Sequence, residues 1–195
     1  MSTLKVDTIL KRSGTGTITL GQSGDTITIP SGATINLSNA TQTGVGGVNT
    51  PAFEANLSGS NQDIGDSSNT RIAFNSEVFD TDNAFDSSSN YRFTPQTAGK
   101  YFVYAATVGF TSNGGYDDLQ YMSTEIKKNG TRISHLISDL GSRQRQVSQF
   151  VAITVDMNGS SDYLDVFCEI NAHTGTGVLR AGADKTKFGA FRIIT

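Results

Sequence analysis

Short segments with alternating apolar residues follow one another along residues 51–195, and turn residues separate them. No stretch shows the three- and four-residue apolar spacing of an amphipathic helix. Asn129-Gly130 stands between two such segments, and both residues tolerate the positive φ angles of a tight hairpin turn. Asn158-Gly159 repeats this hairpin signal. Many short strands joined by tight turns predict an all-β sandwich or barrel.

The composition of the chain agrees with many short strands. With 21 Gly and only 3 Pro, most turns must come from Gly, Asn and Asp. Charged residues make up 17% of the chain, below the roughly 25% of an average globular domain. We predict strands at residues 52–58, 70–79, 91–94, 99–110, 120–127, 131–138, 146–155, 163–171, 178–181 and 186–194.

A repeated pattern of Thr and Ile distinguishes the N-terminal part of the chain. Residues 17–20, 26–29 and 34–37 each begin with Thr-Ile and end with Leu or Ile, and Gly-containing turns precede them. One such unit buries too little apolar area to offset the cost of ordering its backbone. The repeats therefore predict a β stalk in which three copies of the chain wind about one axis, although a flexible Gly/Thr/Ser linker is the alternative. The apolar residues predicted inside the stalk are Ile18, Leu20, Ile27, Ile29, Ile35 and Leu37.

These patterns divide the chain into three parts. Residues 1–13 form a predicted N-terminal anchor, in which Leu4, Val6 and Ile9 would contact another protein, with a frayed terminus as the alternative. Residues 14–50 form the predicted stalk and a Gly-rich joint. Residues 51–195 form the predicted head.

The charge and the single cysteine exclude several classes of protein. The net charge of −3 gives no reason to expect a nucleic-acid partner. Cys168 lies in an alternating run, which predicts a buried core side chain and no disulfide within the chain. No apolar run is long enough to insert in a membrane, and the N-terminus lacks the pattern of a secretory signal.

The sequence contains no recognisable catalytic constellation. His135 and His173 are isolated, no Ser has a nucleophile-elbow motif, and no cofactor motif is present. We therefore predict no enzyme activity, no catalytic or metal-binding residues and no cofactor. The acidic clusters at residues 80–86 and 63–66 fit turns in solvent better than a Ca²⁺ site, although an axial Ca²⁺ in an oligomer stays open.

Residues 51–195 resemble the complement component-one-q globular domain, a member of the tumour-necrosis-factor-like jelly rolls. The resembling features are the opening strand at 51–55, the spacing of Phe74, Asp80 and Phe85, the spacing of Phe93, Gly99 and Tyr101, the Lys-Asn-Gly hairpin at 128–130, and the closing strand at 188–191. The chain departs from the family in a longer 85–93 loop, in Val103 and Ala105 at usually aromatic positions, and in the reversed order of Gly189 and Ala190.

This resemblance implies a ten-stranded jelly-roll sandwich that assembles as a homotrimer about an apolar and aromatic axis. The core or trimer-axis candidates in the head are Phe53, Tyr101, Phe188 and Phe191.

Residues 1–9 resemble the start of structural proteins in tailed bacteriophages. Together with the stalk and the head, they predict a virion protein that assembles in the host cytoplasm, a trimeric fibre or spike. Its predicted partners are copies of itself, other virion proteins through the N-terminus, and either a host surface glycan or a neighbouring virion protein at the head. The alternatives are a capsid decoration protein that stabilises the shell and a soluble lectin-like binding module.

Two loops have the composition of ligand-binding loops. Residues 111–118 combine a Tyr ring with amide and carboxylate groups, which suits carbohydrate, and residues 141–145 carry two Arg that suit an anionic glycan or another virion protein. Ordinary solvated loops are the alternative for both. The ligand-binding candidates are Asn113, Tyr116, Asp117, Asp118, Arg143 and Arg145.

Overall fold

Two antiparallel β-sheets packed face to face form the head of the protein. The computed structural model describes residue 17 and residues 19–36, 49–112 and 118–193, and these residues contain strands and turns but no helix. The chain divides into two units, Met1–Val45 and Gly46–Thr195. The predicted all-β class is confirmed.

Thirteen strands occur among the described residues of the head. They are β1 (Ala52–Asn56), β2 (Gln62–Gly65), β3 (Thr70–Arg71), β4 (Ser76–Asp80), β5 (Phe85–Asp86), β6 (Arg92–Phe93), β7 (Gly99–Thr111), β8 (Leu119–Lys128), β9 (Thr131–Gln144), β10 (Gln146–Met157), β11 (Leu164–Ala172), β12 (Gly177–Leu179) and β13 (Lys187–Arg192).

The long strand β7 organises the seven-stranded sheet, which we call sheet A. Strand β10 pairs with β7 along one edge, from Gly99 to Phe110. On the other edge, β13 pairs with residues 101–106 of β7, and β12 pairs with residues 109–111. Beyond β13 the sheet continues through β1 to β4, and beyond β12 it ends at β2.

The six-stranded sheet, sheet B, has the order β5-β6-β11-β8-β9, with β3 also paired to β11. Its inward side chains alternate along β11, where Leu164, Val166, Cys168 and Ile170 are all fully buried. Burial raises the pKa of the Cys168 thiol, so this residue is a neutral core side chain, as predicted.

Closely packed aromatic rings, some stacked and some edge-on, fill one end of the core between the two sheets. Phe53 lies 4.6 Å from Phe85, 4.5 Å from Phe93 and 5.0 Å from Phe188, measured between ring centroids. Tyr101 is fully buried beside Phe93. These rings come from five strands of sheet A and sheet B, so their packing holds the sheets together.

The thirteen strands differ from the ten predicted in three places. The predicted strand 70–79 is two strands, because the chain crosses from sheet B to sheet A between β3 and β4 and buries Ile72 and Phe74 on the way. Strand β2 was missed because only Ile64 in it is buried and apolar. Strand β5 was missed because it has only two residues.

The two Asn-Gly signals have different outcomes. Asn129 and Gly130 have φ angles of 52° and 80° and join the paired strands β8 and β9, so this predicted hairpin is confirmed. Asn158-Gly159 does not make a hairpin, because β10 and β11 lie in different sheets. A Cβ at Gly159 would lie 2.2 Å from the backbone nitrogen of Ala98, so this crossing requires glycine.

No strand forms in the described residues of the N-terminal unit. The backbone of residues 17 and 19–36 makes turns, in which the N–H of Asp25 donates to the carbonyl of Gln22 and that of Ala33 to Pro30. A single chain offers these segments no partner strand, so the predicted β units are absent and their apolar side chains are exposed. The exposed stalk residues are Leu20, Ile27, Ile29 and Ile35, and the predicted residues Leu4, Val6, Ile9, Ile18 and Leu37 lie outside the described part of the chain.

The buried ring of Tyr101 provides a test of the core. Replacing Tyr101 with Ala should lower the free energy of unfolding by about 3–5 kcal/mol, because a buried aromatic ring is lost. Replacing it with Phe should lower it by only about 1 kcal/mol, because the ring remains and only the hydroxyl bond to the carbonyl of Thr97 is lost. Urea unfolding of both variants measures the difference, and equal losses would show that the ring does not support the core.

Candidate functional site

Four aromatic rings form a row on the outward side of sheet A. Along β7, Phe102 and Tyr104 point away from the core because Tyr101 and Val103 point into it. Phe191 on β13 lies opposite Phe102, with 5.4 Å between ring centroids. Phe150 on β10 lies 6.1 Å from Tyr104, which lies 6.3 Å from Phe102. We call these four residues, Phe102, Tyr104, Phe150 and Phe191, the aromatic face.

The aromatic face is open to solvent in a single copy of the chain. Phe150 is 58% exposed and Phe191 is 37% exposed. Phe79 on the edge strand β4, also exposed, extends apolar surface along the same sheet. Contiguous aromatic surface of this kind marks a site of association with another molecule.

A polar group anchors the centre of the aromatic face. The Tyr104 hydroxyl donates a hydrogen bond to Glu54 Oε2 on β1, and Lys187 Nζ on β13 lies 3.7 Å from the same oxygen. Burial and this hydrogen bond raise the pKa of Tyr104, so it stays a protonated donor. The ring is thereby held flat across β13.

Gly189 makes room for the Tyr104 ring. Gly189 pairs with Tyr104 in the sheet, and a Cβ at Gly189 would lie 2.5 Å from Tyr104 Cζ. Its neighbour Ala190 is buried and points into the core. The order of Gly189 and Ala190, reversed relative to the family pattern, therefore places the glycine on the outward side, under an aromatic ring.

The predicted core or trimer-axis residues of the head separate into two groups. Phe53, Tyr101 and Phe188 are buried in the core of one chain, whereas Phe191 belongs to the aromatic face. Sequence reasoning missed Phe102, Tyr104 and Phe150. The signal was present, since a strand that buries Tyr101 must turn residues 102 and 104 outward.

The predicted ligand loops meet at Asp118. The Asp118 carboxylate accepts a hydrogen bond of 2.8 Å from the Thr174 hydroxyl and lies 3.9 Å from Arg143 Nη1. Asp118 is buried, so it positions the loop ends rather than facing a ligand. The predicted loop at residues 141–145 is wrong, because β9 continues to Gln144 and only residue 145 separates it from β10. Arg143 and Arg145 are exposed. Asn113, Tyr116 and Asp117 lie outside the described residues.

Residues of the acidic clusters accept hydrogen bonds from backbone N–H groups. Asp80 accepts the N–H of Phe85, and Asp66 accepts the N–H of Ala172. Asp86 accepts three backbone N–H groups from residues 88–90, which hold its pKa well below the usual range. Among the described residues, no group of three or more His, Cys, Asp and Glu could hold a metal ion.

Comparison with known proteins shows the fold of the head. No family model and no curated protein matches the chain. Two structures of murine APRIL, at pH 5.0 and pH 8.0, are 12% and 14% identical to this chain, and both have a TM-score of 0.52. Each match spans 73% of this chain and 98% of the APRIL chain. Eiger TNF from S. frugiperda is 12% identical with a TM-score of 0.51, and the match covers 73% of this chain and 91% of that one. The head is therefore a tumour-necrosis-factor-like jelly roll.

No helix in the described residues is long and apolar enough to cross a membrane.

The close packing of Gly189 against Tyr104 provides a test of the aromatic face. Replacing Gly189 with Ala should displace the Tyr104 ring and lower the melting temperature of the protein, because the added Cβ overlaps the ring. Gly141 on β9 is a matched control, since a Cβ there has open space within 4 Å. Calorimetry that found the two alanine variants equally stable would contradict the described position of Tyr104.

Proposed function

We propose that this chain is a structural virion protein of a tailed bacteriophage, a homotrimeric fibre or spike. Its head binds a host surface glycan or a neighbouring virion protein. The observation that carries the proposal is the aromatic face of sheet A, which a single chain leaves exposed. The likeness of residues 1–9 to phage structural proteins supports the virion setting.

A second copy of the chain is the partner that best fits the aromatic face. Phe150, its most exposed ring, lies on β10, which is an edge strand of sheet A, whereas Phe102 and Phe191 lie further inside the sheet. The β10 edge of one copy can therefore pack on the sheet A of the next copy. Such head-to-tail contacts close into a ring when the rotation between neighbouring copies divides a full turn. Three copies close the ring and remove all three aromatic faces from water.

The N-terminal segments support the same assembly. Leu20, Ile27, Ile29 and Ile35 are exposed, and no described residue covers them. Three such segments from three copies of the chain could pair with one another and bury these side chains.

A trimeric head would bind by avidity. Three identical sites on one rigid body raise the effective concentration of each site near a repetitive surface, so weak contacts add without further interface. This function needs exposed recognition surfaces rather than a catalytic site, and it requires no cofactor.

The exposed ring of Phe150 provides a test of the assembly. Replacing Phe150 with Ser should leave the chain folded but shift it from trimer to monomer at micromolar concentration, because the outward ring contributes to association and not to the core. Ile137→Ser is the control, since Ile137 is similarly exposed but pairs with Ser123 on sheet B. Sedimentation velocity measures both, and a Phe150→Ser protein that stays trimeric, or an Ile137→Ser protein that dissociates, would contradict the proposed interface.

The virion setting has a separate test. Antibodies against the head should label purified particles of the encoding phage in electron microscopy. The proposed function predicts that this label lies at the tail or its fibres. Label on the capsid surface would favour a decoration protein, and particles that lack the protein would overturn the proposal.

A further inference from the structure

The outward side of sheet B carries cations above buried carboxylates. Arg71 Nε lies 3.2 Å from Asp165 Oδ2, and the Arg71 side chain is 34% exposed whereas that of Asp165 is 1% exposed. Arg132 Nη1 lies 3.1 Å from Glu125 Oε1, with side-chain exposures of 54% and 7%. In each pair the cation is exposed to solvent and the carboxylate is buried beneath it.

Aromatic rings support the cations of this surface. Lys127 Nζ lies 3.7 Å from the ring centre of Phe167, and the Arg71 guanidinium lies 5.3 Å from it. The Arg92 guanidinium lies 4.1 Å above the ring of Tyr163. We call Arg71, Arg92, Lys127 and Arg132 the basic face. Because the rings fix the orientation of Arg71, Arg92 and Lys127, these three side chains lose little further freedom when they bind an anion.

The charges of the basic face do not cancel at its surface. Its four cations meet two carboxylates, and no described carboxylate lies within ion-pair distance of Arg92. Burial raises the pKa of Asp165 although Arg71, Arg92 and Lys127 oppose this. Glu169 and Asp139 lie further along the sheet, in register with Ser123 and Tyr121. The end of sheet B near the β8–β9 hairpin is thus positive, on a chain whose net charge is −3.

Hydrogen-bonding groups adjoin the basic face at Arg92. Arg92 borders an open groove whose lining includes Ser88, Thr94 and Gln96. Two carboxylates also line the groove. Glu77 accepts the Ser87 hydroxyl, and Asp86, in register with Arg92, accepts backbone N–H groups of residues 88–90. These donors are neutral, so the groove suits the hydroxyl groups of a ligand, and the ligand's anionic groups belong on the cations. Hydroxyl and amide groups of this kind can form hydrogen bonds with sugar hydroxyls. The adjacent Arg92 guanidinium can bind an anionic group through two parallel hydrogen bonds.

We propose that the basic face binds an acidic polysaccharide, with its anionic groups on the four cations and its hydroxyl groups in the adjoining groove. This inference rests on the proposed function, in which sheet A is covered by sister chains and sheet B faces outward. Single-stranded nucleic acid fits less well, because it needs open aromatic rings for base stacking and the cations cover Phe167 and Tyr163. Three outward basic faces suit a polymer with a repeating charge.

The test compares two charge-matched double variants of the full chain. One carries Arg92→Gln and Arg132→Gln, and the control carries Lys100→Gln and Lys185→Gln, two exposed cations outside the basic face that pair with the exposed Asp156 and Asp184. Arg71 and Lys127 are kept, because their loss would leave buried carboxylates without partners. The probes for biolayer interferometry are polygalacturonate, dextran sulfate, neutral dextran and a single-stranded DNA oligomer.

The unmodified chain should bind polygalacturonate, dextran sulfate or both, weaken with added salt, and not bind neutral dextran. The first double variant should lose roughly tenfold or more in affinity, and the control should change less than about twofold. Equal binding by the first variant, a loss confined to the control, or tighter binding to DNA than to either polysaccharide would overturn the inference. Light scattering on the same samples tests the assembly separately, so a trimer that binds no polysaccharide refutes only this inference.

Discussion

The alternation of side chains along β7 is the constraint on which the rest of the head depends. Strand β7 pairs with three other strands, and all of them take their register from it. Because Tyr101 must lie in the core beside Phe93, Phe102 and Tyr104 must lie on the opposite side of sheet A. One strand thus determines both the packing between the sheets and the aromatic surface offered to another molecule.

The two outward sides of the sandwich have contrasting chemistry. Sheet A presents rings around the engaged carboxylate of Glu54, whereas sheet B presents cations over buried carboxylates such as Asp165. Removing apolar surface from water is favourable, whereas removing charged surface from water is unfavourable. Sheet A is therefore suited to a permanent contact with sister chains, and sheet B to a reversible contact with a charged ligand.

The sequence allowed the fold class to be predicted better than the site. The all-β class and the hairpin at Asn129-Gly130 depend on local signals, so they could be predicted. The crossing at Asn158-Gly159 could not, because the same dipeptide serves a hairpin and a change of sheet. The basic face joins Arg71, Arg92, Lys127 and Arg132 from four strands, and only the sheet order brings residues so distant in sequence together.

The mass of the unmodified chain in solution tests the central claim most directly, namely that sister chains cover the aromatic face. Static light scattering at micromolar concentration should give three times the 20.7 kDa of one chain. A mass of 20.7 kDa with a folded circular-dichroism spectrum would contradict the account, because the aromatic face would then be exposed in the stable protein.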